Sequence, residues 1–268
     1  LKESGIEVQA VIDPTRPTTH KNAIIAGGYR LLKIDTLDNT PISAKIADQI
    51  EEKIANKNTS CVVFSDFRHG IFNRTTIPQL AAAIPKSVFK VADSQVASRW
   101  GNITEFQKFD LVTPNEREAR FALADQDSNI GQLATFVREL TNCKNVILKL
   151  GPRGLFFMNE KLYHSVDSFA GDVKDAVGSG DALLAYATLT MLATKSLPEA
   201  CIIGSIAAAC ECEYDGNIPI EPKDVLEKLD KIEKLARYES ENRSSVSSTE
   251  NKSSQQKRVR RIKKTVSA

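Results

Sequence analysis

Residues 175–181 read DAVGSGD, and the stretch they open, DAVGSGDALLAYATL, turns apolar immediately afterwards. Backbone N–H groups in the first turn of a helix lack intrahelical acceptors and sit at the positive end of its dipole. A glycine-rich approach lets an anion come close to them. Gly178, Ser179 and Gly180 supply that approach, and Asp181 follows just inside. A carboxylate repels a bound phosphate, so Asp181 is there for another reason. It either caps the helix, as Asp commonly does, or accepts a proton from a hydroxyl placed beside the anion. The second reading couples an anion hole to a general base, which is what phosphoryl transfer requires.

Other site chemistries find less support. No G-x-x-x-x-G-K-[ST] is present, and GSGDAL lacks the third glycine of a dinucleotide fingerprint. Cys210 and Cys212 flank Glu211 as a C-x-C pair, but no Cys or His cluster accompanies them, so buried thiols are the expectation. The five cysteines, at 61, 143, 201, 210 and 212, form no C-x-x-C, and their odd number suits a reducing compartment. No signal peptide is read at the start. The apolar runs near 176–194 and 200–212 are interrupted by Asp181, Glu199 and Glu211 and fall short of a bilayer span. The expectation is a cytoplasmic protein without a membrane partner.

At 268 residues and 41% hydrophobic, the chain can bury a sizeable core. The net charge of +2 hides an asymmetry: residues 241–268 hold eight Lys or Arg against two Glu, leaving the rest mildly acidic. A nucleic-acid groove is not expected on the body, and only the basic tail could touch one. Ile42, Ile46, Ile50 and Ile54 recur every fourth residue and predict an amphipathic helix over 41–57. Strands follow at 61–66, 87–93, 109–114 and 145–151, separated by helices near 74–84, from 115, and at 130–141. This alternation predicts a mostly parallel sheet between helices, the α/β class. A hairpin around the polar NEK turn spans 154–169, and helices follow at 180–194, 198–213 and 222–237. Residues 1–40 suggest two or three strands of a smaller β layer, a remnant lid. The core is assigned to 41–238, and the serine-rich, basic segment 239–268 reads as a disordered tail.

With these elements in place, DAVGSGD resembles the D-[TS]-x-G-A-G-D signature of the ribokinase or PfkB-type carbohydrate kinases. TPNEREA (113–119) resembles the family's N-x-x-E element, and LKLGPRGLFF (148–157) its T-L-G-x-x-G nucleotide strand. Within the family, RPTTHKNAII, LLKID, SDFRHGIF and TPNEREA are similar, in that order, to the heptose 7-phosphate kinases of ADP-heptose biosynthesis. The resemblance covers roughly residues 5–236. It implies a ribokinase-like fold and an ATP- and Mg²⁺-dependent kinase acting on a sugar or sugar phosphate, with Asp181 as base and Gly178, Ser179 and Gly180 as the anion hole.

It further implies that Asn115 and Glu118 organise Mg²⁺ through water, although Asn115 also reads simply as a helix cap after Pro114. Lys149, Gly151, Gly154 and Ser205 fall on nucleotide-lining positions; Lys149 stands where the family often has Thr, and Ser205 where many members have Asn. Asp175, the carbonyl of Val177 and the Gly216 region correspond to a K⁺ loop, with turn capping as the plain alternative for Asp175. Lys21 and Asp66 are candidates for the sugar side, with Ala23 where a further basic residue is usual. The family's opening strand, its GD turn and its GGxxxN sugar-binding stretch have no counterpart here. The chain is therefore expected to leave an unpaired sheet edge and to associate with the missing piece or a second copy. A second reading is a truncated, non-catalytic nucleotide-binding or interaction protein. A nucleotidyltransferase is not expected, since no H-x-G-H motif is present.

Overall fold

The computed structural model describes residues 1–27, 29–95, 103–216 and 218–238. Six strands form the main sheet in sequence order: β3 (Cys61–Asp66), β4 (Phe89–Ser94), β5 (Leu111–Val112), β6 (Asn145–Lys149), β7 (Leu155–Met158) and β8 (Tyr163–Val166). The first four run parallel. β7 and β8 are antiparallel additions, the hairpin expected around NEK. Its turn is closed by Asn159, whose side-chain oxygen accepts from the N–H groups of Lys161 and Leu162.

Because side chains alternate along a strand, each apolar strand feeds two cores. Phe64, Ala92, Val112, Val146 and Leu148 face α2 (Thr76–Ala82), α3 (Glu116–Leu123) and α4 (Ile130–Thr141). Val91, Leu111, Ile147, Leu155 and Phe157 face α5 (Ser179–Thr194) and α6 (Leu197–Cys212). Parallel strands buried on both faces must be apolar nearly throughout, which is why 145–149 reads as a continuous greasy run, whereas 61–66, at the sheet edge, leaves Val63 exposed. Before the sheet, α1 (Ala44–Ala55) buries Ile46 and Ala47 with Ile42 beside Val11, and its other predicted contacts, Ile50 and Ile54, lean on the first core.

Residues 1–40 contribute two strands. β1 (His20–Ala26) and β2 (Tyr29–Thr36) pair antiparallel, Lys21 opposite Asp35, with an irregularity between Ile24 and Ile25. They form a separate ribbon with exposed apolar residues. Among the described residues the outer edge of β3 carries no strand. A last helix, α7, covers 222–238. The predicted disordered tail, 239–268, lies outside the described residues. Among those residues, no helix is long and apolar enough to cross a membrane.

The consequence for function is directional. β3, β4, β5 and β6 all end at one rim, and Asp66, Asp93, Thr113 and Lys149 sit at or just beyond those ends. Ligands of open α/β sheets bind outside the carboxyl ends of the strands.

Candidate active site

The glycine turn lies at this rim. Gly178 holds the N-cap position of α5 with φ 93°, a left-handed conformation that suits glycine, and no side chain caps the helix. The first amide bond back along α5 is from Ala182 to the Gly178 carbonyl, 2.9 Å. Of the N–H groups before it, that of Ser179 donates to the Ala176 carbonyl at 3.4 Å, and those of Gly180 and Asp181 have the orphan status that helix geometry imposes on a first turn. The loop before them is shaped internally: the Val177 N–H donates to Asp175 Oδ1 at 3.1 Å, and Ser179 Oγ donates to the Ala176 carbonyl at 2.8 Å.

Gly178, Ser179, Gly180 and Asp181 open onto a cavity of about 440 Å³ together with Asp93, Asn115, Glu118, Lys149 and Gly151. Eight of those positions are predicted from the sequence and come from three distant segments, so the fold brings the glycine turn, the N-x-x-E element and the strand-end lysine to one place. A second, largely apolar cavity of about 160 Å³ adjoins it, sharing Lys149, Gly151, Ser179 and Gly180 and adding Gly154, Leu183, Ser205 and Cys212. A side chain at Gly154 would run into the backbone of Val166 and Asp167, so only glycine lets the hairpin close over this cavity.

Lys149 ends β6 and places its ammonium 2.8 Å from Asp93 Oδ1. Asp93, which ends β4 beside Ser94, also accepts from Thr113 Oγ1 at 2.7 Å. The same ammonium leans over Gly180: a Cβ there would meet Nζ at 3.4 Å. Asp181 is exposed to the cavity, and its pKa is raised, first by partial loss of solvent between the cavity walls and then by the Asp93 charge. Lys149 and Lys21 pull it back down. A carboxylate whose proton affinity is raised, facing a cavity with cations nearby, is suited to accept a proton.

Asn115 caps α3: its side chain accepts from the Glu118 N–H at 2.8 Å, and Glu118 Oε2 accepts from the Asn115 N–H at 2.7 Å. Glu118 Oε1 takes the Asn115 amide at 2.6 Å. The plain reading of Asn115 as a helix cap is therefore present in the fold. Each ionised carboxylate oxygen has more than one acceptor site, so Glu118 can still receive a water on the cavity side. The pair fits a Mg²⁺ ion held through its water shell.

On the opposite side, Lys21 extends from β1 with Nζ 5.0 Å from the Phe67 ring centre, and its charge is felt by both Asp181 and His69. His69 contacts Thr19 Oγ1 through Nδ1 at 3.2 Å, and burial followed by Lys21 lowers its pKa. Asp66 is not at the cavity surface. It is 3% exposed and bound to Arg68, Nε to Oδ2 3.0 Å, with Ser94 at 3.2 Å. Burial raises its pKa against the pull of Arg68.

Asp175 and Val177 lie on the loop that meets α6, where the Lys174 and Asp175 N–H groups donate to the Cys212 carbonyl at 2.8 and 3.3 Å. Gly216, φ 86°, follows the end of α6. Between them Glu211 is buried, and among the described residues its Oε1 has no hydrogen-bond partner. That orphan oxygen is the structural feature that fits a cation at this loop. Cys210 is buried and Cys212 half-buried, both as free thiols, and burial raises both.

Sequence reasoning missed Asp93, His69 and Glu211. Asp93 carried the same signal as Asp66, an aspartate ending a predicted strand. Glu211 was visible as a charge inside an apolar helix.

The profile described as "pfkB family carbohydrate kinase" matches residues 1–224. The bifunctional protein HldE of Helicobacter pylori strain J99 is 29% identical over 218 residues, covering 78% of this chain and 46% of that protein. The chain thus spans about half the length of the curated relatives it matches. Among solved structures, ribokinase from Giardia lamblia superposes with a TM-score of 0.68 at 18% identity, over 86% of this chain and 77% of the other. Phosphofructokinase-2 from Escherichia coli in complex with potassium gives 0.65 at 18% identity, over 75% and 67%. At such identities these likenesses establish the ribokinase-like fold.

Proposed function

The chain belongs to the pfkB family of carbohydrate kinases, and on that premise we propose that it phosphorylates a hydroxyl of a sugar phosphate from ATP, a heptose 7-phosphate being the best-supported acceptor. The acceptor choice rests on the ordered motifs shared with heptose kinases and on the similarity to HldE. The observation that carries the reaction is the placement of Asp181 on the first turn of α5, open to the same cavity as the orphan amides and Lys149.

In this reading the apolar cavity beside Gly154 and Ser205 takes the adenosine end, and the α5 amides face the terminal phosphate. Asp181 takes the proton of the acceptor hydroxyl as its oxygen bonds to the γ-phosphorus. The bond from that phosphorus to the bridging oxygen breaks and ADP leaves. Lys149, positioned by Asp93, neutralises charge on the moving group. Mg²⁺ held through water by Asn115 and Glu118 would supply charge neutralisation on the phosphate oxygens. K⁺ would belong with Asp175, the Val177 carbonyl and the Gly216 region, a role supported by the loop's geometry and by the potassium complex of the E. coli neighbour. Lys21, with Phe67 and His69 near it, stands on the acceptor side. The substrates and free thiols fit a cytoplasmic setting.

The exposed apolar residues of β1 and β2 support pairing with a second copy. A second reading, favoured by a β3 edge that carries no strand among the described residues, is a nucleotide-binding protein without turnover. ADP release from Mg-ATP with a panel of sugar phosphates decides between them. The kinase reading expects acceptor-dependent ADP that Asp181→Asn abolishes while nucleotide binding persists. Binding without any acceptor-dependent ADP supports the second reading.

A further inference from the structure

Glu211 is 2% exposed in the last turn of α6, and no step above uses it. The Ile218 N–H donates to its carboxylate, while Oε1 has no hydrogen-bond partner among the described residues. The charges acting on it, those of Asp175 and Asp181, share its sign. Among the described residues it has no ion pair. A buried carboxylate in such company is costly unless a cation or a proton offsets it.

The 174–175 segment is tied to the Cys212 carbonyl, and the Gly216 turn leads to Ile218, so two loops close around the carboxyl end of α6. A helix C-terminus itself favours positive charge. Among the described residues no three His, Cys, Asp or Glu side chains converge, so a cation here would rest on two carboxylates and on backbone carbonyls, donors that suit hard cations. We propose that Glu211 supplies a second carboxylate, alongside Asp175, to a hard cation held between these loops. The cation thereby clamps the end of α6 to the segment that leads into the Gly178–Gly180 turn. This deepens the cation role proposed above and rests on that reading of the loops, but its test needs neither ATP nor turnover.

The melting temperature of the whole chain, without nucleotide, is followed as tetramethylammonium chloride is exchanged at constant ionic strength for KCl in one series and CaCl₂ in another. The expected result is a saturable rise in one series, the choice of series showing whether two carboxylates select a monovalent or a divalent ion. Glu211→Gln, nearly isosteric, should shift the half-saturating concentration upward at least tenfold. Glu211→Val should remove the response and melt above the natural chain in tetramethylammonium, since its buried charge is gone. No rise in either series overturns the proposal, as does an unchanged half-saturation in both variants, which would mark Glu211 as a neutral buried acid. Should Glu211→Gln fail to fold, Glu211→Val and the natural chain decide. A chain that shows the rise yet makes no ADP counts against the kinase reading alone.

Discussion

Asp181 carries opposing influences whose signs can be tested one at a time. Partial burial and Asp93 raise its pKa; Lys149 and Lys21 lower it. A general base works only when deprotonated, so the acid limb of the kcat/KM profile should lie above the ordinary carboxylate range. Lys149→Met removes a lowering charge and should move that limb to higher pH. Asp93→Asn removes a raising charge and releases Lys149 from its 2.8 Å partner, so the limb should move to lower pH. Limbs that coincide in all three proteins would mean that another group titrates. The stability effect has a fixed sign as well. A carboxyl whose folded pKa is raised favours the folded state below its unfolded pKa, and that contribution is lost as pH rises through the folded value. Asp181→Asn should thus melt higher than the natural chain near neutral pH while turnover falls by about 10²-fold or more, the usual cost of losing a general base. At this scale the glycine turn and Asp181 were legible because their chemistry is local in sequence. Asp93 was not, because the lysine that gives it meaning is 56 residues away.

Elements were read well where one face decides the pattern. Isoleucines every fourth residue marked α1, and unbroken β-branched runs marked β3 and β6, since burial on one or both faces dictates those residues directly. The pattern does not say how two all-apolar helices meet, and α5 and α6 are of that kind. Their contact depends on Gly204, where an added Cβ would sit 3.1 Å from both the Ala187 Cβ and the Leu183 carbonyl oxygen. Gly204→Val should therefore overpack the seam, at a cost of about 1–3 kcal/mol in urea unfolding. Since α5 carries the orphan amides on its first turn, the same variant should weaken ATP binding measured by calorimetry. An unfolding midpoint lowered without any change in affinity would show that the anion-binding turn is set by its own loop, independent of the seam.

For the whole molecule, the ribbon and the sheet edge present surface that another chain can satisfy. An isolated two-stranded ribbon is marginal in water, because it has too little apolar area to offset the entropy of ordering. Here Ile25 and Leu31 remain 63% and 66% exposed, with Ile24, Leu32 and Ile34 partly so. Alternating apolar patches in residues 1–40 foretold strands, but which face they would cover is a property of another surface and lay beyond a single sequence. Fully burying an Ile or Leu side chain contributes about 1.5–3 kcal/mol, against an association cost of about 4–15 kcal/mol. Neighbouring strand residues face opposite sides and these are already partly covered, so meeting that cost takes several of them from each copy together with the surface around them. The chain should accordingly run as a dimer in light scattering after size exclusion, and Ile25→Lys combined with Leu31→Lys should return it to monomer mass. Lys21 lies on the same ribbon and its charge reaches Asp181, so the monomeric variant should also show a raised KM for the sugar phosphate with ATP affinity kept. A double variant that remains dimeric would transfer the association to the unpaired edge of β3, where a Pro substitution at exposed Val63 is the corresponding probe.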